Sequence, residues 1–305
     1  MKSKSPFTPE QIELQAYIPP ALKQTSVAAD ELLNSANCGV IVQRSGQVTN
    51  EFRNQARECA LEICEHTNKT QKGFISSFLY EETFGQQDRI HWFIHLRSLA
   101  DYMRFHRLAA VDPAFGEIFM RNRAPESERG GDWTALFSGT FQERVLTPHY
   151  WGFNGTHSPQ PVPDAESRLA LYQSKQPAAQ LLHSSNARMI IMRQAQVDFQ
   201  YRSEARVFAR AYADYLNRHL AGYVTCFVYE EHFGAVDRLH WLIHLECYED
   251  YQHLIEFLAQ DSGMRDVLTR SWVEGGGSHS DWSRLFVPGS ISEVLLCPQH
   301  PTKDF

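Results

Sequence analysis

Two short segments concentrate the side chains able to do chemistry. Tyr80, Glu82, Arg89, His91 and His95 recur as Tyr229, Glu231, Arg238, His240 and His244, each 149 positions later. An imidazole beside a carboxylate can move protons at neutral pH, so Glu82/His91 and Glu231/His240 are candidate acid–base pairs. Arg89 and Arg238 could hold a substrate carboxylate or stabilise an enolate, with Tyr80 and Tyr229 as further hydrogen-bond donors. The same carboxylate–imidazole pairs could be two ligands of a divalent metal, iron or zinc, if another element supplied a third. His91 and His95 cannot share one ion on a strand, because four residues there span about 13 Å. The competing structural reading is a Glu–His–Arg hydrogen-bonded network, since buried polar groups are paired whatever their role.

The elements that must position these groups are legible from periodicity. The run Ile90–Leu96 is rich in branched and aromatic residues and reads as a strand. Alternation then places Trp92, Ile94 and Leu96 on one face and His91, Phe93 and His95 on the other. A short even turn would pair Glu82 with His91, Tyr80 with Phe93 and Phe78 with His95. The face carrying Phe78, Tyr80, Glu82, Arg89, His91, Phe93 and His95 mixes aromatic and ionisable groups and is the better cavity lining. His95, His244, Phe93, Trp92 and Trp241 are added as pocket candidates.

Around the hairpin the repetition is long. Of the 17 positions 80–96, 12 are identical to 229–245, and the same offset links Asn37 to Asn186, Ala56-Arg57 to Ala205-Arg206 and Asp132-Trp133 to Asp281-Trp282. A gapless match of this length predicts a duplicated domain rather than a solenoid of short repeats. The layout expected is an N-terminal extension (1–34), repeat 1 (35–152), a proline-rich linker (153–182) and repeat 2 (183–305). Each repeat reads β, helix (50–68 or 201–219), two strands, a second helix (99–119 or 248–268) and a last strand. Asp132 and Asp281 read as caps with a tryptophan packed beneath, and the glycine runs before them as flexible loops. The ends Pro148-His149 and Pro298-Gln299-His300 read as surface.

This βαββαβ order is the ferredoxin-like unit, whose sheet has helices on one face only. Two copies in one chain can cover each other's bare faces, sheet against sheet. Order and tandem arrangement resemble the dimeric α+β barrel superfamily, which includes antibiotic-biosynthesis-type monooxygenases and haem-degrading enzymes. The expected class is therefore α+β, an intramolecular barrel of two ferredoxin-like repeats. The resemblance implies tailoring chemistry (oxygenase, cyclase or lyase) on a small aromatic or polyketide-like molecule. It implies a metal-dependent, haem-dependent or cofactor-free enzyme, with haem the weakest because no ligand motif matches. A non-catalytic small-molecule-binding or stress protein is the alternative.

Composition bounds these readings. The 305 residues are 43% hydrophobic and 12% aromatic, enough for a sizeable core. A formal net charge of −7 argues against nucleic acid, whose phosphates demand a basic surface. No apolar run is long enough to span a membrane and no secretory leader is recognisable, so a cytoplasmic location is expected. The six cysteines form no paired motif and read as reduced, buried thiols. A homodimer is compatible with all of this.

Overall fold

The computed structural model describes residues 18–124, 131–149, 169–273 and 281–300. The proline-rich stretch and most of both glycine runs lie outside them. The first half provides β1 (Val40–Val48), α1 (Arg53–Thr70), β2 (Ile75–Phe84), β3 (Arg89–Leu96), α2 (Ala100–Val111), α3 (Pro113–Met120) and β4 (Phe137–Pro148). The second half repeats the order with β5 (Met189–Gln196), α4 (Arg202–His219), β6 (Val224–His232), β7 (Arg238–Leu245), α5 (Tyr248–Gln260), α6 (Ser262–Thr269) and β8 (Ser292–Pro298).

The eight strands form a closed antiparallel barrel in the order β1-β3-β2-β8-β5-β7-β6-β4. Each half contributes four strands to the wall, and closure comes from β2 pairing with β8 and β4 with β6. The halves therefore join edge to edge and share a barrel wall. Among the described residues the barrel leaves no strand edge open to pair with another chain.

Side-chain alternation divides each strand between two cores. Outward residues such as Val42, Leu79, Trp92 and Ile94 pack on the helices of the first half, and their counterparts on those of the second. Inward residues, among them Ile41, Phe78, Tyr80, Phe93, Phe227, Tyr229 and Leu242, fill the barrel. In α1 the small residues Ala56, Cys59, Ala60 and Cys64 recur at helical spacing, letting the helix lie close on the sheet. All six cysteines are free thiols, and five of them are buried.

Two expectations need correction. The helix predicted over 99–119 is two helices, α2 and α3. Asp112 ends the first and caps the second, accepting from the Ala114 amide at 3.0 Å, and Pro113 occupies the first turn where its missing N–H costs nothing. Asp261 does the same between α5 and α6, accepting from the Met264 amide at 2.7 Å. The hairpin register is also shifted by two residues. Tyr80 lies opposite His91 and Phe78 opposite Phe93. The loop after Glu82 is longer than a tight turn, with Asp88 in the left-handed region at φ 58°. A shift of two preserves the faces, so the ionisable group still points inward.

One end of the barrel is sealed by two matching chain segments, 20–38 and 169–187. Their contacts are reciprocal, as across a twofold axis. The Ser35 amide donates to Ser184 Oγ and the Ser184 amide to Ser35 Oγ, both at 2.9 Å. Tyr80 donates its hydroxyl to the Ser184 carbonyl, and Tyr229 to that of Ser35. Gln24 bridges β2 backbone by accepting from the Leu79 amide (2.9 Å) and donating to the Leu79 carbonyl (2.6 Å). Gln173 does the same for Val228, at 2.8 Å both ways. Replacing Gln173 by Leu orphans buried backbone groups. It should lower unfolding free energy by about 1–3 kcal/mol, read as a lower urea midpoint at unchanged m-value.

Candidate functional site

The open end of the barrel gathers most of the side chains singled out by sequence. Glu82 and His91 meet diagonally across the hairpin, Glu82 Oε1 to His91 Nε2 at 2.8 Å. Glu231 and His240 repeat this at 2.8 Å. Arg89 and Arg238 stand beside their carboxylates at 3.6 and 3.8 Å. Burial, more than any other influence, pulls both imidazoles below their ordinary pKa, so they are neutral at pH 7. Burial works against ionisation of Glu82 and Glu231 too. The hydrogen bond from the histidine, with a loop amide and the arginine, outweighs it and lowers both carboxyls. Each histidine therefore donates Nε2–H to an ionised carboxylate and keeps a lone pair on Nδ1.

The two Nδ1 atoms differ. In the first half Gln43 Nε2 donates to His91 Nδ1 at 2.5 Å, and Gln43 Oε1 accepts from Arg144 at 3.1 Å. In the second half Met192 stands where Gln43 does and Val294 where Arg144 does, as the strand register shows. His240 Nδ1 is consequently buried with no partner among the described residues. This difference lies outside the repeated hairpin, so scanning the hairpin alone could not find it.

Deeper in, the candidates are tied to the barrel's sealed end. The Tyr80 and Tyr229 hydroxyls already serve backbone carbonyls. His95 Nε2 is 2.8 Å from Ser184 Oγ and His244 Nε2 is 2.9 Å from Ser35 Oγ. Phe93 is fully buried beside Tyr80. The expected lining face is thus a packed interior with a polar mouth of about 270 Å³ at its open end.

Trp92 and Trp241 point the other way, into cavities between sheet and helices. The first-half cavity measures about 470 Å³, with Trp92, Phe105, Phe119, Trp133 and Phe141 as its aromatic walls. Trp133 stacks on Phe141 with centroids 5.4 Å apart. The indole N–H of Trp92 is buried and has no partner among the described residues. At the rim, Arg44 and Glu143 form an ion pair at 2.6 Å, and the Tyr102 hydroxyl donates to Glu143 at 2.8 Å. The second-half cavity measures only about 220 Å³. There Tyr212 replaces Ile63, and Arg193 donates to its hydroxyl at 3.0 Å. Sequence places Trp133 and Trp282 only as packing beneath their Asp caps. The caps exist, with Asp132 accepting from the Thr134 amide at 2.9 Å and Asp281 from the Ser283 amide at 3.0 Å. The tryptophans in addition wall the cavities.

The fit of metals and haem can be tested on the side chains present. The Glu–His pairs expected as metal ligands bond to each other, and His91 has both ring nitrogens occupied. Among the described residues no group of three or more His, Cys, Asp or Glu is placed to hold an ion. Among the described residues neither sheet–helix cavity is lined by a histidine or cysteine, the axial ligands that most often hold haem iron. These linings do not fit haem. His149, expected at the surface, is buried and bonds Glu230 at 2.7 Å.

A closed barrel of ferredoxin-like halves, with ionisable groups at its mouth and aromatic cavities on its flanks, defines an α+β barrel protein. The chain belongs to the family described as "Family of unknown function (DUF6039)", whose model matches residues 10–304. No curated protein matches it. It is similar to a monooxygenase candidate from Fusobacterium nucleatum at 6% identity and TM-score 0.53, over 86% of this chain and 92% of that one. A second monooxygenase candidate, from Lactobacillus acidophilus, matches at 7% identity and TM-score 0.50, over 85% and 93%. A chlorite dismutase of Candidatus Nitrospira defluvii matches at 15% identity and TM-score 0.43, over 87% and 94%. At these identities the first two likenesses establish the fold alone. No helix among the described residues is long and apolar enough to cross a membrane.

Buried neutral histidines set the acid response. Burial above all lowers His95 and His244 to about 3. A histidine depressed in the folded state binds its proton more readily when unfolded, so its contribution is complete above pH 6.5 and is lost as pH falls towards the folded value. Each should add a slope of about 1.4 kcal/mol per pH unit below 6.5. Unfolding free energy measured from pH 6.5 to 4.5 should fall less steeply in His95→Asn and His244→Asn than in the parent, whatever their absolute stability.

Proposed function

We propose that this protein is a small-molecule enzyme of the oxygenase type, with its working cavity between the first-half sheet and helices. The observation that carries the reading is an aromatic cavity of about 470 Å³ with Trp92 in its wall, whose buried indole N–H has no partner among the described residues. A large apolar pocket with a few convergent polar groups is the usual form of a ligand site. Its walls suit a planar aromatic molecule, and the free N–H suits a carbonyl or phenolate oxygen on that molecule. The two structural relatives described as monooxygenase candidates support the reaction class.

In this reading the substrate supplies the electrons. An activated methylene between aryl rings loses a proton to solvent water, and the charge moves onto its carbonyl oxygen. Trp92 donates a hydrogen bond to that oxygen, and a donor fixed in advance stabilises charge as it develops there. Reaction with dioxygen then places one oxygen atom in a new carbonyl and the other in water, so CH2 plus O2 gives C=O plus H2O. Arg44, with Glu143 and Tyr102, stands at the rim to orient a polar edge of the substrate.

We infer further that the halves are tandem copies of one unit, 35–152 and 183–305, with the sealing segments belonging to the copies. The second cavity, filled by Tyr212, has then lost the role that the first retains. The barrel closes within one chain, so dimerisation is not required to complete it.

Oxygen uptake with 1,8-dihydroxyanthrone as probe tests the assignment. Trp92→Phe removes the donor while keeping an aromatic wall, and should lower kcat/KM about 10- to 100-fold. Ile63→Tyr copies the second half and should abolish uptake while leaving thermal stability close to the parent's. Uptake no faster than the uncatalysed blank, with tight binding of the probe, would instead favour a binding protein.

A further inference from the structure

Oxygenation in the aromatic cavity leaves the mouth of the barrel without a role. The mouth is separated from that cavity by the thickness of the sheet, because its residues alternate with Trp92 and Arg44 along the same strands. Arg89 and Arg144 line it with Glu82, and Arg238 and Glu231 stand near enough to act on Arg144 electrostatically. Glu82 and Glu231 stand beside Arg89 and Arg238 and hold the neutral His91 and His240. Glu293, also at the mouth, is bound by Arg193. Arg144 remains: its one hydrogen bond goes to the neutral Gln43, and no carboxylate lies within ion-pair distance among the described residues. A half-buried guanidinium with free N–H groups is a ready site for a carboxylate.

Two buried acceptors beside this space have no donor among the described residues. His240 Nδ1 is one. Gln194 Oε1 is the other, on a side chain that lines the mouth and whose Nε2 is used by Ser292. Gln194 and His240 lie directly opposite in the β5–β7 ladder, so both point inward from one place. Leaving buried acceptors empty costs free energy that a bound donor would recover. Beside them Met192 and Val294 present an apolar wall where the first half has Gln43 and Arg144. The mouth is therefore cationic on one side, and apolar with two empty acceptors on the other.

We propose that the barrel mouth is a second ligand site, which binds a small hydroxylated organic acid. Arg144 holds the carboxylate, Met192 and Val294 cover the apolar body, and the hydroxyl donates to His240 Nδ1 or Gln194 Oε1. The site exists once per chain. The first half fills the corresponding acceptor with Gln43, and only Met192 leaves it open.

Titration calorimetry of the full-length protein tests this with 3- and 4-hydroxybenzoate, benzoate and 4-hydroxybenzamide. At least one hydroxybenzoate should bind about tenfold tighter than benzoate, which lacks the donor, and than the amide, which lacks the charge. Arg144→Met should weaken the hydroxybenzoate about tenfold or more and leave the amide unchanged. Met192→Gln rebuilds the first-half network on His240. It should bring the hydroxybenzoate to within about twofold of benzoate. Trp92→Phe, on the far side of the sheet, should change none of these values. The proposal is overturned if neither hydroxybenzoate outbinds benzoate in the parent. It is equally overturned if a Met192→Gln protein melting like the parent retains the full preference, or if an equally stable Arg144→Met protein binds hydroxybenzoate as the parent does.

Discussion

A four-stranded ferredoxin-like sheet has two edges and one bare face, and this protein satisfies all three demands with one device. Strand β2 pairs with β8 and β4 with β6, so the backbone groups at each edge of one half are met by the other. The same pairing curls the bare faces into the inside of a barrel, where they bury each other. Remove either seam and both edges open together, exposing Phe78, Tyr80, Phe93 and their counterparts. The seams also bring Arg144 of β4 to the mouth beside His240 and Glu231, which belong to the other half.

Closure leaves two kinds of space. Inside, the bottom is sealed by reciprocal serine, tyrosine and glutamine contacts, and a polar mouth of about 270 Å³ remains at the other end. Outside, each sheet is roofed by helices whose side-chain sizes set how much room remains. Ile63 and Tyr212 occupy equivalent places, yet the first leaves about 470 Å³ and the second about 220 Å³. In the mouth, Gln43 and Met192 make a comparable contrast, one completing a hydrogen-bond chain and the other breaking it. At both places the halves share a frame and differ in single residues.

A hydrogen-bonded pair of this kind shows why residue type alone is a weak guide to role. Glu82–His91 and Glu231–His240 have the same identities and the same 2.8 Å bond. His91 has no lone pair left for a ligand, because Gln43 takes it. His240 keeps one. The tyrosines and the deeper histidines are spent on holding the sealed end. Trp92 and Trp241, grouped by sequence with the barrel pocket, stand on the opposite face, each with an indole N–H that has no partner among the described residues.

Local period and repetition are properties of the sequence by itself, and they determined the elements and their faces. Alternation along Ile90–Leu96 separated His91, Phe93 and His95 from Trp92 and Ile94, because successive strand residues must face opposite ways. The repeated spacing carried the βαββαβ order twice, and Asp132 and Asp281 were legible as caps. Meetings between distant elements lay beyond its reach. The hairpin register slipped by two because loop conformation, not pairing arithmetic, sets where strands meet. The break at Asp112 was readable from Pro113, but His149 became buried only because β4 reaches the second half. That Met192 faces His240, that Tyr212 fills one cavity and Ile63 leaves its twin open, and that Arg144 lacks a carboxylate were decided by tertiary structure. Each is a property of the gap between side chains from different strands and helices, and no single stretch of chain contains it.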